Sequence, residues 1–215
     1  MVEKNLDESC LTPSSPKVIA LYDAVTALSR EGADLTRLKV SDIAAKAGIG
    51  KGTTYAYFKS REELIVKAIL YDIYNQIRTI KSRICQVDSF QEKVYVMLDV
   101  LFEGEDPDTN IFQRLMPFFH DIGSFPARFQ EEFIKCAPSI AEIEKTFWVI
   151  LASAKAEGIV GKNLNLFYIQ NAFAHTVMDY ACYKKQACYQ KQLPRIPEEE
   201  VKKRLYENLV YMLRE

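Results

Sequence analysis

Apolar residues recur at three- and four-residue spacing along almost the whole of this 215-residue chain. In the first such run, Val18, Leu21, Val25 and Leu28 follow a spacing that places them on one face of an α-helix. No alternating strand pattern bounded by turns occurs. The pattern therefore predicts an all-α protein of about nine or ten helices. Glycine and proline fall mostly between the helical runs, near 104–107, 123–126, 138, 158–161 and 194–197.

Two domains are predicted after a short leader. Residues 1–16 are polar and end in Pro-Ser-Ser-Pro, which is typical of a disordered leader. Residues 17–76 are assigned to the first domain and 77–215 to the second. The charge differs between them: residues 17–78 carry ten Lys and Arg against seven Asp and Glu, and 79–215 carry seventeen against nineteen. Because the formal net charge of the chain is only -1, any phosphate-binding surface must be a local patch.

Composition argues against several classes of protein. The five cysteines form no CxxC pair, so neither a zinc site nor a disulfide framework is indicated. Only two histidines, His120 and His175, are present, which leaves little for a catalytic triad or a multi-histidine metal site. No apolar run resembles a signal peptide or reaches the roughly 18 residues of a membrane span. We therefore expect a cytoplasmic protein that is not an enzyme, with no metal, no cofactor and no membrane contact.

Residues 40–64 have the pattern of two short helices joined by a glycine turn. The first helix contains the small residues Ala44 and Ala47 and ends at Gly48, which can take the positive φ that a sharp turn demands. Such a turn between short helices is the layout of a helix-turn-helix DNA-binding motif. With the preceding helix it predicts a three-helix DNA-binding domain, with the motif at about 39–58.

A long helix is predicted to follow the motif. Ser60 and Glu63 have the spacing of a capping box, in which the serine accepts from an early backbone N–H while the glutamate accepts from the serine's own N–H. This helix is expected to run to about Cys85. It would connect the DNA-binding domain with the rest of the chain.

The second helix of the motif carries the residues expected to meet DNA. Thr53, Ala56 and Tyr57 fall on one face, and Tyr55 flanks it. Threonine can hydrogen-bond to a base or a phosphate, and its methyl group, like that of alanine, can rest on a thymine methyl. Phe58 is predicted to point into the core. The alternative for the two tyrosines is packing between helices, but a buried tyrosine needs an internal partner for its hydroxyl.

The start of the same helix suits a phosphate oxygen. Residues 50–53, Gly-Lys-Gly-Thr, lie where free backbone N–H groups and the positive end of the helix dipole favour an anion. Glycine at 52 also lets the DNA backbone come close. Between residues 36 and 61, six Lys and Arg stand against the single acid Asp42. This local excess of positive charge favours a DNA-facing surface.

Two C-terminal segments are predicted to do more than fill a core. In the first part of the segment 164–191, residues 164–181, apolar residues point nearly all round the helix, so it must be covered on more than one side. The segment 197–214 begins with Pro-Glu-Glu-Glu, a strong helix start, and carries an apolar stripe. We expect both segments to form a homodimer interface. The alternative is two helices that pack only within one chain.

Together the residues of the motif resemble the signature of the TetR family of bacterial transcriptional regulators. The resemblance covers residues 17–72 and depends on many fixed spacings. It is carried by Asp42, Ile43, Ala44, Ala47, Gly48, Ile49, Lys51, Gly52, Thr53, Tyr55, Tyr57, Phe58, Lys59, Ser60, Glu62, Glu63 and Leu64.

The resemblance implies a homodimer that binds a palindromic DNA operator and releases it when a small-molecule inducer enters the C-terminal domain. That domain is accordingly expected to be a helical ligand-binding and dimerisation domain. Arg61 stands where the family usually has a phosphate-binding lysine. The recognition-helix contact positions are occupied by Lys51, Gly52, Thr53, Tyr55, Ala56 and Tyr57.

Three residues depart from the family pattern. Gly50 replaces a common serine, which removes a side-chain cap from the recognition helix. Thr54 occupies a position where an aliphatic residue normally buries, and Ala56 is smaller than the residues common there. These departures concern which DNA sequence is read more than how the helix docks.

A ligand pocket is predicted in the C-terminal domain because pockets are mostly apolar with a few polar anchors. The two histidines are the candidate anchors. Each aromatic residue could alternatively be ordinary core. The candidate lining residues are Phe102, Phe112, Phe118, Phe119, His120, Phe147, Trp148, Phe173, His175 and Tyr180.

The sequence thus predicts a DNA-binding transcriptional regulator that acts as a ligand-released repressor. Two alternatives from other classes remain open. A DNA-associated structural protein would keep the DNA-binding motif but lack an inducer pocket. A helical small-molecule enzyme would need a reactive constellation, which the sequence does not contain.

Overall fold

A computed structural model describes residues 13–103, 126–136, 141–189 and 196–214. Within these ranges the chain forms nine α-helices and no strand, which confirms the all-α prediction. The helices are α1 Pro16–Arg30, α2 Val40–Lys46, α3 Lys51–Tyr57, α4 Arg61–Ile84, α5 Phe90–Leu101, α6 Ala127–Cys136, α7 Ala141–Ala156, α8 Leu166–Tyr189 and α9 Glu198–Arg214.

Local sequence signals account for several of the helix ends. Pro16 lies in the first turn of α1, where its missing N–H costs nothing. Gly32 follows the same helix with a φ of 93° and ends it. Residues 1–12 of the predicted leader lie outside the described residues.

Two helix starts use a serine and a glutamate three residues apart. At α5 the box is complete, because Ser89 accepts from the N–H of Glu92 and the Glu92 carboxylate accepts from the N–H of Ser89. At α4 only half of the predicted box forms. Ser60 Oγ accepts from the N–H of Glu63 at 3.0 Å, but the Glu63 carboxylate accepts from the N–H of Lys59 at 2.6 Å.

The described residues divide into two compact units. Unit 1 contains residues 13–77, 126–136 and 141–144, and unit 2 contains residues 78–103, 145–189 and 196–214. The change of unit after Ile77 lies next to the predicted boundary at 76. Helix α6 belongs to unit 1, where its Phe129 ring lies against Arg61.

The core of unit 1 is built around α1 and α4. Leu21, Val25, Leu64 and Ile69 are fully buried. Tyr22 is buried as well, and its ring lies 5.8 Å from that of Phe58. Helix α2 packs on α1, and α3 packs on α2. This core therefore fixes the position of the motif.

Unit 2 is organised by the pairing of α8 with α9. The α9 residues Leu205, Leu209 and Leu213 are buried, which accounts for the apolar stripe predicted in 197–214. The C-terminal end of α9 is held by the loop before α8, because the N–H of Gly161 donates to the carbonyl of Leu213 at 2.8 Å.

Helix α8 is apolar nearly all round, as predicted, and one chain does not cover all of it. Ile169, Phe173 and Tyr180 are buried in unit 2, whereas Phe167 and Tyr168 in the first turn are exposed. In the part of the chain that the structure describes, no helix is long and apolar enough to cross a membrane.

Candidate nucleic-acid interface

The turn between α2 and α3 is built by Gly48. Its φ is 66°, a left-handed conformation that glycine adopts without steric cost. The N–H of Gly48 donates to the carbonyl of Ala45, and the N–H of Ile49 donates to that of Ala44 at 2.9 Å. These bonds end α2 sharply and allow α3 to begin at once.

Helix α3 is anchored by its inward side. Thr54 is almost fully buried, and its hydroxyl lies 3.4 Å from the carbonyl of Gly50, to which it donates. Phe58 at the end of the helix is buried against Tyr22, as the sequence predicted. Gly50 is the N-cap residue and supplies no side-chain cap. Thr54 can therefore occupy a core position, because its hydroxyl donates a hydrogen bond to the nearby carbonyl of Gly50.

The outward side of α3 carries the predicted contact residues. Tyr55 and Tyr57 are 51% and 41% exposed, so neither is a core tyrosine. The Tyr57 hydroxyl lies 3.5 Å from Ser15 Oγ, from which it accepts. Lys51, Gly52 and Ala56 are also exposed, and Thr53 is half-buried.

The cations around α3 differ in how they are neutralised. Arg37 pairs with Asp34 at 3.4 Å, and Lys46 pairs with Glu31. Lys39 and Lys51 are exposed and form no ion pair with any described residue. Positive charge is therefore left available at the start of α3, where backbone N–H groups already favour an anion.

Arg61 has more partners than its predicted role requires. Its Nη2 donates to the Glu62 carboxylate at 2.8 Å, and its Nη1 lies 3.4 Å from the carbonyl of Leu38. The guanidinium carbon is 5.7 Å from the centre of the Phe129 ring, within the range of a cation–π contact. Burial raises the pKa of Glu62, but hydrogen bonds from its backbone and from Arg61 outweigh this and lower it.

The predicted pocket residues fall into two aromatic groups of unit 2. The Phe147 ring lies 5.6 Å from that of Trp148 and 5.2 Å from that of Phe173. Separately, the Phe102 ring meets Tyr180 edge-on at 5.2 Å. The Tyr180 hydroxyl donates to Glu198, and burial together with this bond raises the pKa of Tyr180.

Two of the predicted pocket residues are exposed in the single chain. His175 is exposed on α8, and Trp148 is 44% exposed. Phe112, Phe118, Phe119 and His120 lie outside the described residues. Among the residues that the structure describes, no group of three or more His, Cys, Asp or Glu could hold a metal ion.

Comparison with known families decides the identity of the motif. Residues 23–68, which span α1 to the first turns of α4, match the sequence profile of bacterial regulatory proteins of the TetR family. This region of the chain is a DNA-binding region of the TetR type. The matched region contains Gly48, Lys51 and the exposed tyrosines of α3. No curated protein matches the sequence.

Solved structures extend the similarity to the whole fold. The transcriptional regulator FadR from Bacillus subtilis, in complex with stearoyl-CoA, has a TM-score of 0.61 at 15% identity and covers 91% of this chain and 97% of its own. A TetR-family transcription regulator from Marinobacter aquaeolei VT8 has a TM-score of 0.57 at 13% identity, covering 92% and 95%.

The fold alone does not define the function. A superantigen, pfit, is similar at a TM-score of 0.58 and 19% identity, covering 97% of this chain and 95% of its own. The match of residues 23–68 therefore carries more weight for function than the overall likeness. That match confirms the family resemblance and the helix-turn-helix region.

Proposed function

We propose that the protein is a cytoplasmic, homodimeric transcriptional repressor that binds a palindromic DNA operator and is released by a small-molecule ligand. The observation that carries the proposal is that one side of α3 is buried and the other is exposed. Thr54 and Phe58 anchor the helix, while its outward residues are exposed or half-buried, and Lys51 at its start forms no ion pair with any described residue. A short, well-anchored helix with such a face is suited to the major groove.

The residues proposed to contact DNA are those of the outward face. Lys51 and the backbone at the start of α3 would hold a phosphate, and Thr53 and Ala56 would face the bases. The two tyrosine hydroxyls would reach phosphates. Arg61 would add a further phosphate contact once its present partners are given up. The full set is Lys51, Gly52, Thr53, Tyr55, Ala56, Tyr57 and Arg61.

Gly52 supports close approach of the DNA backbone. Glycine inside a helix costs about 0.5–1 kcal/mol relative to alanine. A methyl group at this position would meet no atom of the protein within 4 Å, and the residue has no positive φ. Internal packing therefore gives no reason for glycine here, whereas a phosphate backbone lying against α3 would.

The dimer is proposed to form through 164–191 and 197–214. Leu166, Phe167 and Tyr168 are 39%, 64% and 62% exposed in the single chain. A second copy that covered this first turn of α8 would remove that apolar surface from water. Two symmetric copies would place two α3 helices in successive major grooves, roughly 34–36 Å apart.

A ligand with an apolar tail is the candidate inducer. The Phe147, Trp148 and Phe173 rings of unit 2 offer the apolar contacts that such a ligand needs. FadR, whose fold is similar, is bound to stearoyl-CoA. Acyl-CoA thioesters of graded chain length should raise the melting temperature and weaken DNA binding, since an inducer must prefer the DNA-incompetent state.

Selection of duplexes from a randomised DNA library tests the proposal. The full-length protein should enrich a two-fold symmetric sequence, and it should sediment as a dimer alone and on that duplex. Enrichment of nothing beyond random sequence would contradict sequence-specific regulation. Binding that no ligand weakens would instead favour a DNA-associated structural protein.

A further inference from the structure

Arg61 joins three separate parts of unit 1. Its guanidinium donates to Glu62 in the first turn of α4 and to the carbonyl of Leu38, two residues before α2. One face of the same group lies over the Phe129 ring of α6. We call these four residues the Arg61 clasp. The clasp links the DNA-binding motif directly to a helix that lies over sixty residues further along the chain.

Helix α6 lies against the first turn of α4 through its Phe129 ring. Phe129 is fully buried. Arg128 of α6 lowers the pKa of Glu62, and Glu63 helps to raise the pKa of Lys135, to which the hydrogen bond with Glu132 contributes most. The buried Phe129 ring over the Arg61 guanidinium is therefore the contact that joins α6 to the first turn of α4.

Unit 2 holds residues 78–103 before α6 and 145–189 after it. Along the sequence, α6 therefore lies between two stretches of unit 2.

We propose that Arg61 is shared between two competing partners, the docked helix α6 and a DNA phosphate; this rests on the proposed DNA-binding function. The Arg61 side chain is 31% exposed. The Phe129 ring of the docked helix covers one face of the guanidinium, while its N–H groups donate to Glu62 at 2.8 Å and to Leu38 at 3.4 Å. Docking thus holds the side chain in the clasp, and a DNA phosphate would have to replace its N–H partners with a charge-assisted, bidentate contact. Docking of α6 therefore lowers DNA affinity, and a ligand that favours the docked helix acts as an inducer.

The test uses the full-length protein and the duplex that wild type selects from a randomised library. Phe129→Leu keeps an apolar side chain but removes the ring face, so DNA should bind about 2–5-fold more tightly. In an Arg61→Ala background the same change should have no effect on DNA affinity, because Phe129 then has no guanidinium to hold. Ile134→Ala, at a position 71% exposed on the same helix, is the matched control and should change nothing.

A second measurement does not depend on any variant. Amide hydrogen exchange of residues 127–136 in wild type should rise when the duplex is added, because DNA competes for Arg61 and loosens α6. Unchanged exchange, or a Phe129→Leu effect that persists without Arg61, would overturn the clasp while leaving DNA binding intact. A wild-type protein that binds no duplex even at low salt would overturn both proposals.

Discussion

Lys51 in unit 1 and Lys202 in unit 2 differ in exposure and in whether carboxylates neutralise their charge. Lys51 is exposed at the start of α3 and has no ion-pair partner among the described residues. Lys202 is only 5% exposed and pairs with Asp99, with Glu199 at 3.4 Å and with Glu198 at 3.6 Å. Net charge, which is -1 for the whole chain, does not reveal this difference. The placement of carboxylates decides which cations can bind a phosphate.

The largest expected effect on stability comes from removing Lys202, the paired lysine of unit 2. Lys202→Ala should lower the free energy of unfolding by about 2 kcal/mol, because it removes a buried stem and leaves carboxylates without a counter-charge. Asp99 and Glu199 are partly exposed and can be hydrated, which keeps the loss below that of a fully buried pair. Urea unfolding measures the change.

Lys202→Met is the matched control for that experiment. It retains the aliphatic stem and removes only the charge, so it should recover part of the lost stability. Neither variant should alter the salt dependence of DNA binding at temperatures where it is folded. A changed salt dependence would mean that the two lysines do not have separate roles.

Substitution of one glycine in each unit, Gly52 and Gly161, compares a DNA-binding role with a packing role. Gly52→Ala should stabilise the fold by about 0.5–1 kcal/mol yet weaken DNA binding. Gly161→Ala should destabilise it by about 1 kcal/mol, because a methyl group there would lie 3.0 Å from the carbonyl oxygen of Arg214. Thermal unfolding and DNA titration of both variants separate packing from function. Tighter DNA binding by Gly52→Ala would contradict the proposed approach of the backbone.

A smaller effect concerns two carboxyl groups. Burial raises the pKa of Glu198, but a hydrogen bond from Tyr180 and the charges of Lys184 and Lys202 outweigh this and lower it. For Asp72 in α4, burial is the largest influence and its pKa stays raised, although Arg30 opposes it. The cation-rich setting in unit 2 thus favours ionisation, whereas the α1–α4 core of unit 1 opposes it.

Asp72→Asn tests that difference. A carboxyl whose folded pKa is raised binds its proton more tightly in the folded state, so wild type loses stability as pH rises above the ordinary carboxyl pKa of about 4. The variant should therefore melt at a higher temperature than wild type at pH 7, with a smaller difference near pH 4. A difference that grew towards low pH would have the wrong sign.

Local patterns predicted the helices and the motif well. Gly48 and Phe58 were identified because a positive φ and a helical spacing depend on neighbouring residues only. The partner of Glu63 was misassigned, since two successive backbone N–H groups lie within reach of one carboxylate. Nothing in the spacing of α6 could link Phe129 to Arg61, because such a contact is made only by the tertiary fold.

The sequence also does not predict which residues of α8 are exposed. Apolar residues surround the helix, so the pattern does not say which side faces the core. Phe173 and Tyr180 are buried, while His175, predicted as a pocket anchor, is exposed in the single chain. Its role in a ligand pocket remains a prediction that a ligand-bound structure would test.

The salt dependence of DNA affinity tests the central claim most directly. Lys51→Ala should weaken binding to the selected duplex roughly tenfold and reduce the slope of log affinity against log salt by about 0.9. Lys203→Ala removes another exposed lysine, this one on α9 of unit 2, and should leave both quantities unchanged. Equal effects of the two substitutions, or none from either, would contradict the assignment of α3 as the DNA-binding helix.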